Sequence, residues 1–128
     1  MRDAAALLGV SDDTLRRWAD AGRVRVVDDG GRQAIEGTEL VRLAEEHAAT
    51  VPQLSPAPVL LESARNRFVG LVTRVVKDTV MAQVELQCGP NRITSLISRE
   101  SADALGLEPG VLAIASIKST NVVIEVPQ

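Results

Sequence analysis

Two short runs of hydrogen-bond donors in this 128-residue chain could together hold a small oxyanion. One run is S-A-R-N-R at residues 63–67, and the other is I-K-S-T at residues 117–120. Serine hydroxyls, a guanidinium and an ammonium all donate hydrogen bonds, and the two cations carry no acceptor. Such a set favours a dianion without a proton, because the O–H of a protonated phosphate would find no acceptor, at a cost of about 1–3 kcal/mol.

A third run has the residue types of a DNA-contacting element. The sequence G-V-S-D-D-T-L-R-R-W at residues 9–18 is typical of the turn and second helix of a helix-turn-helix. Gly9 can end the first helix in the left-handed conformation, and Ser11 can cap the second helix. The run therefore predicts a helix that carries arginines toward phosphates or base edges.

Composition limits the classes to which the chain can belong. Hydrophobic residues make up 45% of the sequence, with one Phe, one Trp and no Tyr, so the cores are expected to consist of Val, Leu, Ile and Ala. The single cysteine, Cys88, is expected in a turn, and the single histidine, His47, near a helix end. These counts argue against zinc and against Cys/His nucleophilic catalysis. We therefore expect neither a metal site nor enzyme activity.

Charge and hydropathy bear on location and partners. The apolar run at residues 4–10 is far shorter than the ~20 residues that cross a bilayer, so no membrane partner and a cytoplasmic location are expected. The formal net charge is −3, and residues 1–49 carry seven Arg or Lys against ten Asp or Glu. Binding of DNA would therefore require a local basic patch.

A proline-rich stretch divides the chain. Residues 50–58 hold three of the six prolines and no charged residue, which is typical of an extended, semi-rigid linker. We therefore predict a domain over residues 1–49, a linker over residues 50–61 and a second domain over residues 62–128. Helical patterns dominate before the linker, and alternating strand patterns dominate after it.

The first domain is predicted to be a winged helix-turn-helix. A hairpin, the wing, is expected around a turn at residues 28–31, and Thr38 is expected to cap a third helix that runs to about residue 48. Helical periodicity predicts which residues face the core. They are Ala5, Leu7 and Leu8 in the first helix, Leu15 and Trp18 in the second, and Leu40, Val41, Leu43 and Ala44 in the third.

The second domain is predicted to contain five short strands and one helix. Period-two alternation and turn residues place the strands, and Gly106 ends the helix. This order favours a small, partly closed β-barrel of the oligonucleotide/oligosaccharide-binding type, so the fold class is α+β. The strands are expected at residues 68–76, 80–86, 92–97, 111–117 and 122–126, and the helix at residues 98–105.

Residues 62–126 resemble the molbindin (Mop/TOBE) domain, the single unit of the small molybdate-binding proteins. The matching runs are S-A-R-N at 63–66, N-R-I-T-S-L-I-S at 91–98, L-G-L-E-P-G at 105–110 and K-S-T at 118–120. The resemblance implies that a tetrahedral oxyanion, molybdate or tungstate, binds at the seam between subunits of a hexamer built as a trimer of dimers. No cofactor besides this ligand is expected.

The resemblance also implies a set of oxyanion ligands. By register with the family's motifs they are Ser63, Arg65, Ser98, Ser101, Lys118 and Ser119. Ser98 and Ser101 would occupy the N-cap and the third position of the predicted helix, where free N–H groups favour an anion. Simpler roles stay open: Ser98 as a cap alone, Arg65 as a partner of Glu62, and Lys118 as a charge that protects a strand edge.

Residues 1–48 resemble the winged helix-turn-helix of the excisionase and MerR regulators. In that family the second helix enters the major groove, and the wing touches the backbone or the minor groove. The resemblance implies that the DNA contacts are Thr14, Arg16 and Arg17 on the second helix, with Arg23, Arg25 and Arg32 on the wing. The alternative for this half is a structural or protein-contact role.

We therefore predict a molybdate- or tungstate-binding transcriptional regulator, in which an oligomeric core senses the oxyanion at subunit interfaces and is coupled to helix-turn-helix units. The alternative is a cytoplasmic molybdate or tungstate storage or homeostasis protein, whose N-terminal domain makes structural or protein contacts. A third hypothesis is a regulator whose pocket binds another oxyanion, such as sulfate.

Overall fold

A computed structural model describes residues 1–52 and 65–128 of the chain. The chain divides into two compact units, Met1–Gln53 and Leu54–Gln128. Most of the predicted linker, residues 53–61, lies outside the described residues, and the three-part domain division stays a prediction. Among the described residues, no helix has the length and apolar character that a bilayer span requires.

The N-terminal unit contains three helices, and local sequence chemistry determines where two of them meet. They are α1 (Arg2–Leu8), α2 (Asp12–Asp20) and α3 (Gly37–Thr50). Gly9 has a φ of 73° and ends α1 in the left-handed conformation. The hydroxyl oxygen of Ser11 accepts a hydrogen bond from the backbone N–H of Thr14 at 3.1 Å, which caps α2.

Between α2 and α3 the chain forms the wing. Strands β1 (Val27–Asp29) and β2 (Arg32–Ala34) pair antiparallel around the two-residue turn Gly30-Gly31. The φ angles of these glycines are 61° and 88°, a combination that residues with a Cβ rarely adopt. The predicted hairpin is therefore present, with a tighter turn than expected, because Asp28 and Asp29 belong to β1.

The core of the N-terminal unit lies between the helices. Its most buried large side chains are Leu15 and Leu43, and the partly buried Trp18 packs against them. Four expectations were wrong. Leu7 and Val41 face solvent, and Ala44 is exposed as well. Thr38 does not cap α3, because α3 begins at Gly37 after Glu36 and has no side-chain cap.

The C-terminal unit is a curled antiparallel sheet with strand order β5-β4-β3-β6. The first half of the long strand β3 pairs with β6, its second half pairs with β4, and a bulge interrupts β3 between Val72 and Arg74. The helix α4 connects β5 to β6. The bounds are β3 (Asn66–Lys77), β4 (Met81–Cys88), β5 (Asn91–Ser98), α4 (Arg99–Ala104) and β6 (Leu112–Ile117).

Side chains on the concave face of this sheet form the second core. Val72, Val84, Leu86 and Cys88 are buried there. Cys88 was predicted in a turn, but it ends β4 and pairs with Asn91. The core is tight at Gly70, where a Cβ would meet the carbonyl oxygen of Gln87 and would lie 2.6 Å from the Sγ of Cys88. Only glycine fits between these atoms.

The predicted fifth strand is absent from the described sheet. After β6 the chain makes a short 3-10 turn, Ser119–Asn121. Residues 122–126 then continue without pairing to any described strand. A strand exists only where a neighbour supplies backbone hydrogen bonds, so a β-type sequence without such a neighbour stays outside the sheet.

Replacing Leu15 by Ala should destabilise the N-terminal unit by about 2–5 kcal/mol, because the substitution leaves a cavity in a closed core. Leu15 is 0% exposed, whereas Leu7 on α1 is 77% exposed. Leu7→Ala is therefore the matched control and should change stability by less than about 0.5 kcal/mol. Urea unfolding followed by Trp18 fluorescence measures both variants, and equal losses would contradict this core.

Candidate functional site

The first group of predicted oxyanion ligands lies where β5 meets α4. Ser98 is the N-cap of α4, and its hydroxyl oxygen accepts from the N–H of Ser101 at 3.1 Å. The Ser98 hydroxyl donates to the Ser101 Oγ at 2.8 Å. Both serines are exposed. The Ser101 O–H therefore keeps its hydrogen for an outside acceptor, while Ser98 has the capping role.

The backbone of α4 offers less to an anion than the sequence suggests. The N–H of Arg99 donates to the carbonyl of Val80 at 2.8 Å, and the N–H of Ser101 is bound by Ser98. Two of the first three amides of the helix are thus engaged within the chain. The expectation of free N–H groups here is wrong at these two positions, and hydroxyl groups are the main donors at this end.

Ion pairs hold α4 against the β3–β4 hairpin. The ammonium of Lys77 lies 2.6 Å from one carboxylate oxygen of Asp103, and Arg99 lies 3.7 Å from the other. Arg99 also donates to the carbonyl of Asp78 at 3.1 Å. The hydrogen bond from Lys77, together with the charges of Lys77 and Arg99, holds the pKa of Asp103 below its usual value. These contacts fix the position of the two serines.

The second group lies at the opposite edge of the C-terminal unit. Asn66 and Ile117 form the last pair between β3 and β6, and the side-chain amide of Asn66 donates to the Ile117 carbonyl at 3.2 Å. Arg65 precedes this pair and Lys118 follows it, so the register places both cations at one end of the sheet. Among the described residues, neither cation has an ion-pair partner within 4.0 Å.

Two further predicted ligands, Ser119 and Ser63, are close in sequence to Lys118 and Arg65. Ser119 is exposed and begins the 3-10 turn directly after Lys118. Ser63 lies outside the described residues. Glu62, the alternative partner considered for Arg65, lies outside them too, so that ion pair stays an open alternative.

Strand register separates the two groups of ligands within one chain. Ser98 pairs with Met81, beside the pairing of Ala82 with Lys77 at the end of β3. Lys118 lies beside Asn66 at the start of the same strand. The two groups therefore lie toward opposite ends of the twelve-residue strand β3 within one chain.

The predicted DNA contacts on α2 differ in exposure and in their hydrogen bonds within the chain. The hydroxyl of Thr14 lies 2.9 Å from that of Ser11 and accepts a hydrogen bond from Arg17 at 3.2 Å. Thr14 is therefore part of the helix cap and is partly buried. Arg16 and Arg17 are both exposed. The arginines are the side chains of α2 that are able to reach a phosphate.

The arginines near the wing differ in how far acidic residues neutralise their charge. Arg23 stacks over the ring of Trp18 at 4.4 Å and lies 3.4 Å from the carboxylate of Glu46. Arg32 is the cross-strand partner of Asp29, whose negative charge opposes phosphate binding at the wing. Arg25 is exposed. Among the described residues, Arg23 is the predicted wing contact that forms an ion pair, and Arg25 has neither an ion pair nor an acidic cross-strand neighbour.

Sequence reasoning did not single out Arg42. Its guanidinium bonds to Glu39, lies 2.8 Å from Glu46 and donates to the carbonyl of Arg23 at 3.0 Å. The hydrogen bond with Glu39 raises the pKa of Arg42. The i+3 and i+4 spacing of the three side chains could have indicated this network. Arg42 is thus a stabilising residue of α3 rather than a free cation.

Two domain families match the chain. A TOBE domain model matches residues 62–124, and a helix-turn-helix domain model matches residues 1–48. Both matches confirm the resemblances inferred from the motifs.

Several relatives are named for the binding of molybdenum compounds. Molybdenum-pterin-binding protein 1 of Clostridium pasteurianum is 44% identical over 63 residues, which are 48% of this chain and 93% of that protein. Molybdenum-pterin-binding protein MopB of Rhodobacter capsulatus is 39% identical over 97% of this chain and 55% of its own length. A molybdate-bound structure of the cytoplasmic molybdate-binding protein ModG aligns at 40% identity and a TM-score of 0.51, covering 52% of this chain and 48% of that one.

The contacts of Asp103 predict a pH-dependent contribution to stability. Because its pKa is lower in the folded chain than the ordinary value of 3.8, the stabilisation is fully present above that value and is lost as pH falls through the folded-state pKa. Asp103→Asn should lower the unfolding midpoint at pH 7, and the difference from wild type should shrink steadily below about pH 4. A difference in unfolding midpoint that is the same at pH 7 and below about pH 4 would contradict the ion pair. Glu108→Gln, at an exposed acidic residue, is the control.

Proposed function

We propose, on the premise that this chain belongs to the TOBE-domain family of molybdenum-pterin-binding proteins, that it is a molybdate- or tungstate-responsive transcriptional regulator. The observation that carries the oxyanion part is the juxtaposition of Arg65 and Lys118 at one end of the β3–β6 pair. Two exposed cations without an acidic partner among the described residues repel one another unless an anion lies between them. Hydroxyl groups supply the other donors.

The oxyanion site is shared between chains in this proposal. Arg65, Lys118 and Ser119 of one chain and Ser98 and Ser101 of another would surround the same ion, because register keeps the two groups apart within one chain. Ser63 is proposed as a further ligand from its place in the family's motif. A closed oligomer, a hexamer built as a trimer of dimers, would contain several such seams.

The donor set accounts for the class of anion. Guanidinium and ammonium groups only donate. The Ser101 O–H keeps its hydrogen for an anion, and the Ser98 O–H would have to turn from the Ser101 Oγ to donate to one. Molybdate and tungstate carry no proton at neutral pH and suit such a site. Sulfate shares this property but is smaller, so the width of the seam would decide against it, and competition between sulfate and molybdate tests this step.

Binding of DNA is the proposed role of the N-terminal unit. Arg16, Arg17 and Arg25 are exposed cations without an acidic partner among the described residues, although residues 1–49 are acidic as a whole. Phosphate contacts depend on charges within a Debye length of about 8 Å, so a local patch can bind where the net charge is negative. Several copies in one oligomer would add avidity. Arg23, Arg32 and Thr14 would make weaker or indirect contacts.

Oxyanion binding and DNA binding would be coupled through assembly. An anion that binds only where two chains meet stabilises the assembled state by mass action. Any effect of that state on DNA affinity must be matched by an equal effect of DNA on oxyanion affinity. The protein would act in the cytoplasm, where molybdate is used and DNA is accessible.

The second candidate function is molybdate or tungstate storage. It is favoured by the acidic balance of residues 1–49 and by the similarity of the C-terminal unit to a relative that it covers almost completely, at 93% of its length. Such a relative has little room for a helix-turn-helix. In this case the N-terminal unit would make structural or protein contacts, and the protein would retain no DNA.

A shared oxyanion site predicts complementation between two defective variants. Ser98→Ala and Lys118→Ala should each weaken molybdate binding roughly ten- to a hundredfold, because a hydrogen bond to a charged group contributes about 1.5–3 kcal/mol. When the two variants are unfolded together and refolded as a mixture, tight sites should return. In each mixed pair, one seam combines the intact Ser98 with the intact Lys118.

Isothermal titration with molybdate measures the recovered sites, and Arg74→Ala, another exposed cation on β3, is the control that should bind like wild type. Normal affinity in both single variants would sink the oxyanion assignment. Two weak variants that fail to recover on mixing would instead place all ligands within one chain.

Removing the cations of α2 should weaken DNA binding. For the double variant Arg16→Ala/Arg17→Ala, the dependence of log affinity on log salt should lose about 0.9 for each phosphate contact removed. Arg42→Ala is the matched control, since this arginine already pairs with Glu39 and Glu46. Fluorescence anisotropy with duplex DNA from the protein's own promoter measures both. Equal salt slopes for wild type and double variant would contradict a DNA-binding α2, and a wild type that binds no DNA would favour storage.

A further inference from the structure

Four charged side chains form one connected network where the segment before the wing meets α3. Glu46 on α3 accepts from two arginines: Arg42 lies 2.8 Å from its Oε2, and Arg23 lies 3.4 Å from its Oε1. Arg42 is also bonded to Glu39, one turn earlier in the helix. The two positive and two negative charges balance, so Glu46 offsets part of the attraction between Arg23 and any other anion.

The backbone of Arg23 is held separately from its side chain. The Arg42 guanidinium donates to the Arg23 carbonyl at 3.0 Å, and the Arg23 N–H donates to the carbonyl of Trp18 at 2.9 Å. Val24, the next residue, is buried in the core of the unit. The Arg23 side chain can therefore change partners without moving the segment that leads into the wing.

The Arg23 side chain has donors left for a second anion. Its guanidinium lies over the ring of Trp18, 4.4 Å from the ring centroid. This stacking restricts the side chain to few conformations, which lowers the entropy cost of a further contact. The side chain is still 40% exposed, and the distance to Glu46 is longer than the 2.7–2.9 Å of a strong charge-assisted hydrogen bond. A phosphate could therefore displace the Glu46 carboxylate at a small cost.

We propose that Glu46 lowers the affinity of the N-terminal unit for DNA by competing with a backbone phosphate for Arg23, an inference that rests on the proposed DNA-binding function. When DNA binds, Arg23 exchanges the Glu46 carboxylate for the phosphate and stays stacked on Trp18. Because Trp18 belongs to α2, the exchanged contact lies on the helix that carries Arg16 and Arg17. Weaker binding by each unit makes DNA retention depend on several units of one oligomer.

The test compares Glu46→Gln with Glu45→Gln in the full-length protein. Both changes remove one negative charge from α3, and Glu45 is exposed and has no ion pair among the described residues. The amide oxygen of a glutamine can still accept from Arg42, so Glu46→Gln should keep α3 folded, which urea unfolding followed by Trp18 fluorescence verifies. Because exposed ion pairs are weak, Glu46→Gln should raise DNA affinity about two- to fivefold more than Glu45→Gln does.

Both glutamate changes are then repeated in an Arg23→Ala background. There the advantage of Glu46→Gln over Glu45→Gln should disappear, because the cation for which Glu46 competes is gone. Fluorescence anisotropy with duplex DNA from the protein's own promoter, at one fixed salt concentration, measures all the variants.

The outcomes separate this competition from the proposed function. Equal gains for the two glutamate variants would overturn the competition and leave DNA binding by the wild type intact. An advantage that survives Arg23→Ala would also overturn it, because Glu46 would then act by its charge alone. Binding by Glu46→Gln without binding by the wild type would support the competition and contradict DNA binding as the role of the native protein. If neither protein binds DNA at low salt, the competition and the DNA-binding function both fail.

Discussion

The backbone ladder of β3 is the constraint on which the proposed oxyanion chemistry depends. This strand carries β6 on its first half and β4 on its second half, and the hydrogen bonds of both ladders fix its register. Arg65 and Lys118 consequently lie at one end, and the serines of α4 lie beside the other. In the proposed site, association of chains therefore completes the donor set, with the cations supplied by one chain and the serines by another.

Other surfaces of the C-terminal unit are also left exposed to solvent in a single chain. Its edge strands, the apolar groove between them and the exposed apolar residues 122–126 all remain uncovered in one chain. Apolar area and open strand edges of this extent are unfavourable in water and promote association. An oligomer in which the anion lies at the seam would use one set of contacts for stability and for ligand binding.

For the proposed binding of DNA, the position of the charges in the N-terminal unit matters more than its net charge. Two arginines are engaged within the unit: Arg42 with Glu39 and Glu46, and Arg23 with Trp18 and Glu46. These contacts stabilise the helices and reduce the basic patch to a few side chains on α2 and beside the wing. Binding of DNA by so small a patch would be weak for one unit, so it would depend on several units acting together.

The sequence by itself determined the features that depend on neighbouring residues. The cap at Ser11, the left-handed Gly9, the wing turn at Gly30 and Gly31, and the alternation of β4 are local, so their residue types predict them. The two family resemblances also followed from motifs alone. Periodicity failed where adjacent apolar residues compete for one face, as at Leu7 and Val41, because helical spacing does not say which of them meets the core.

Only the tertiary structure decided which distant residues meet. Register between strands placed Arg65 beside Lys118 and left Ser98 at the other end of β3. Tertiary contacts also engaged an amide of α4 with Val80 and buried Cys88 in the core. Residues 122–126 pair with no described strand. The physical reason is that pairing between strands depends on the whole set of backbone hydrogen bonds and on the packing of one shared core. Neither is contained in the spacing of any single segment.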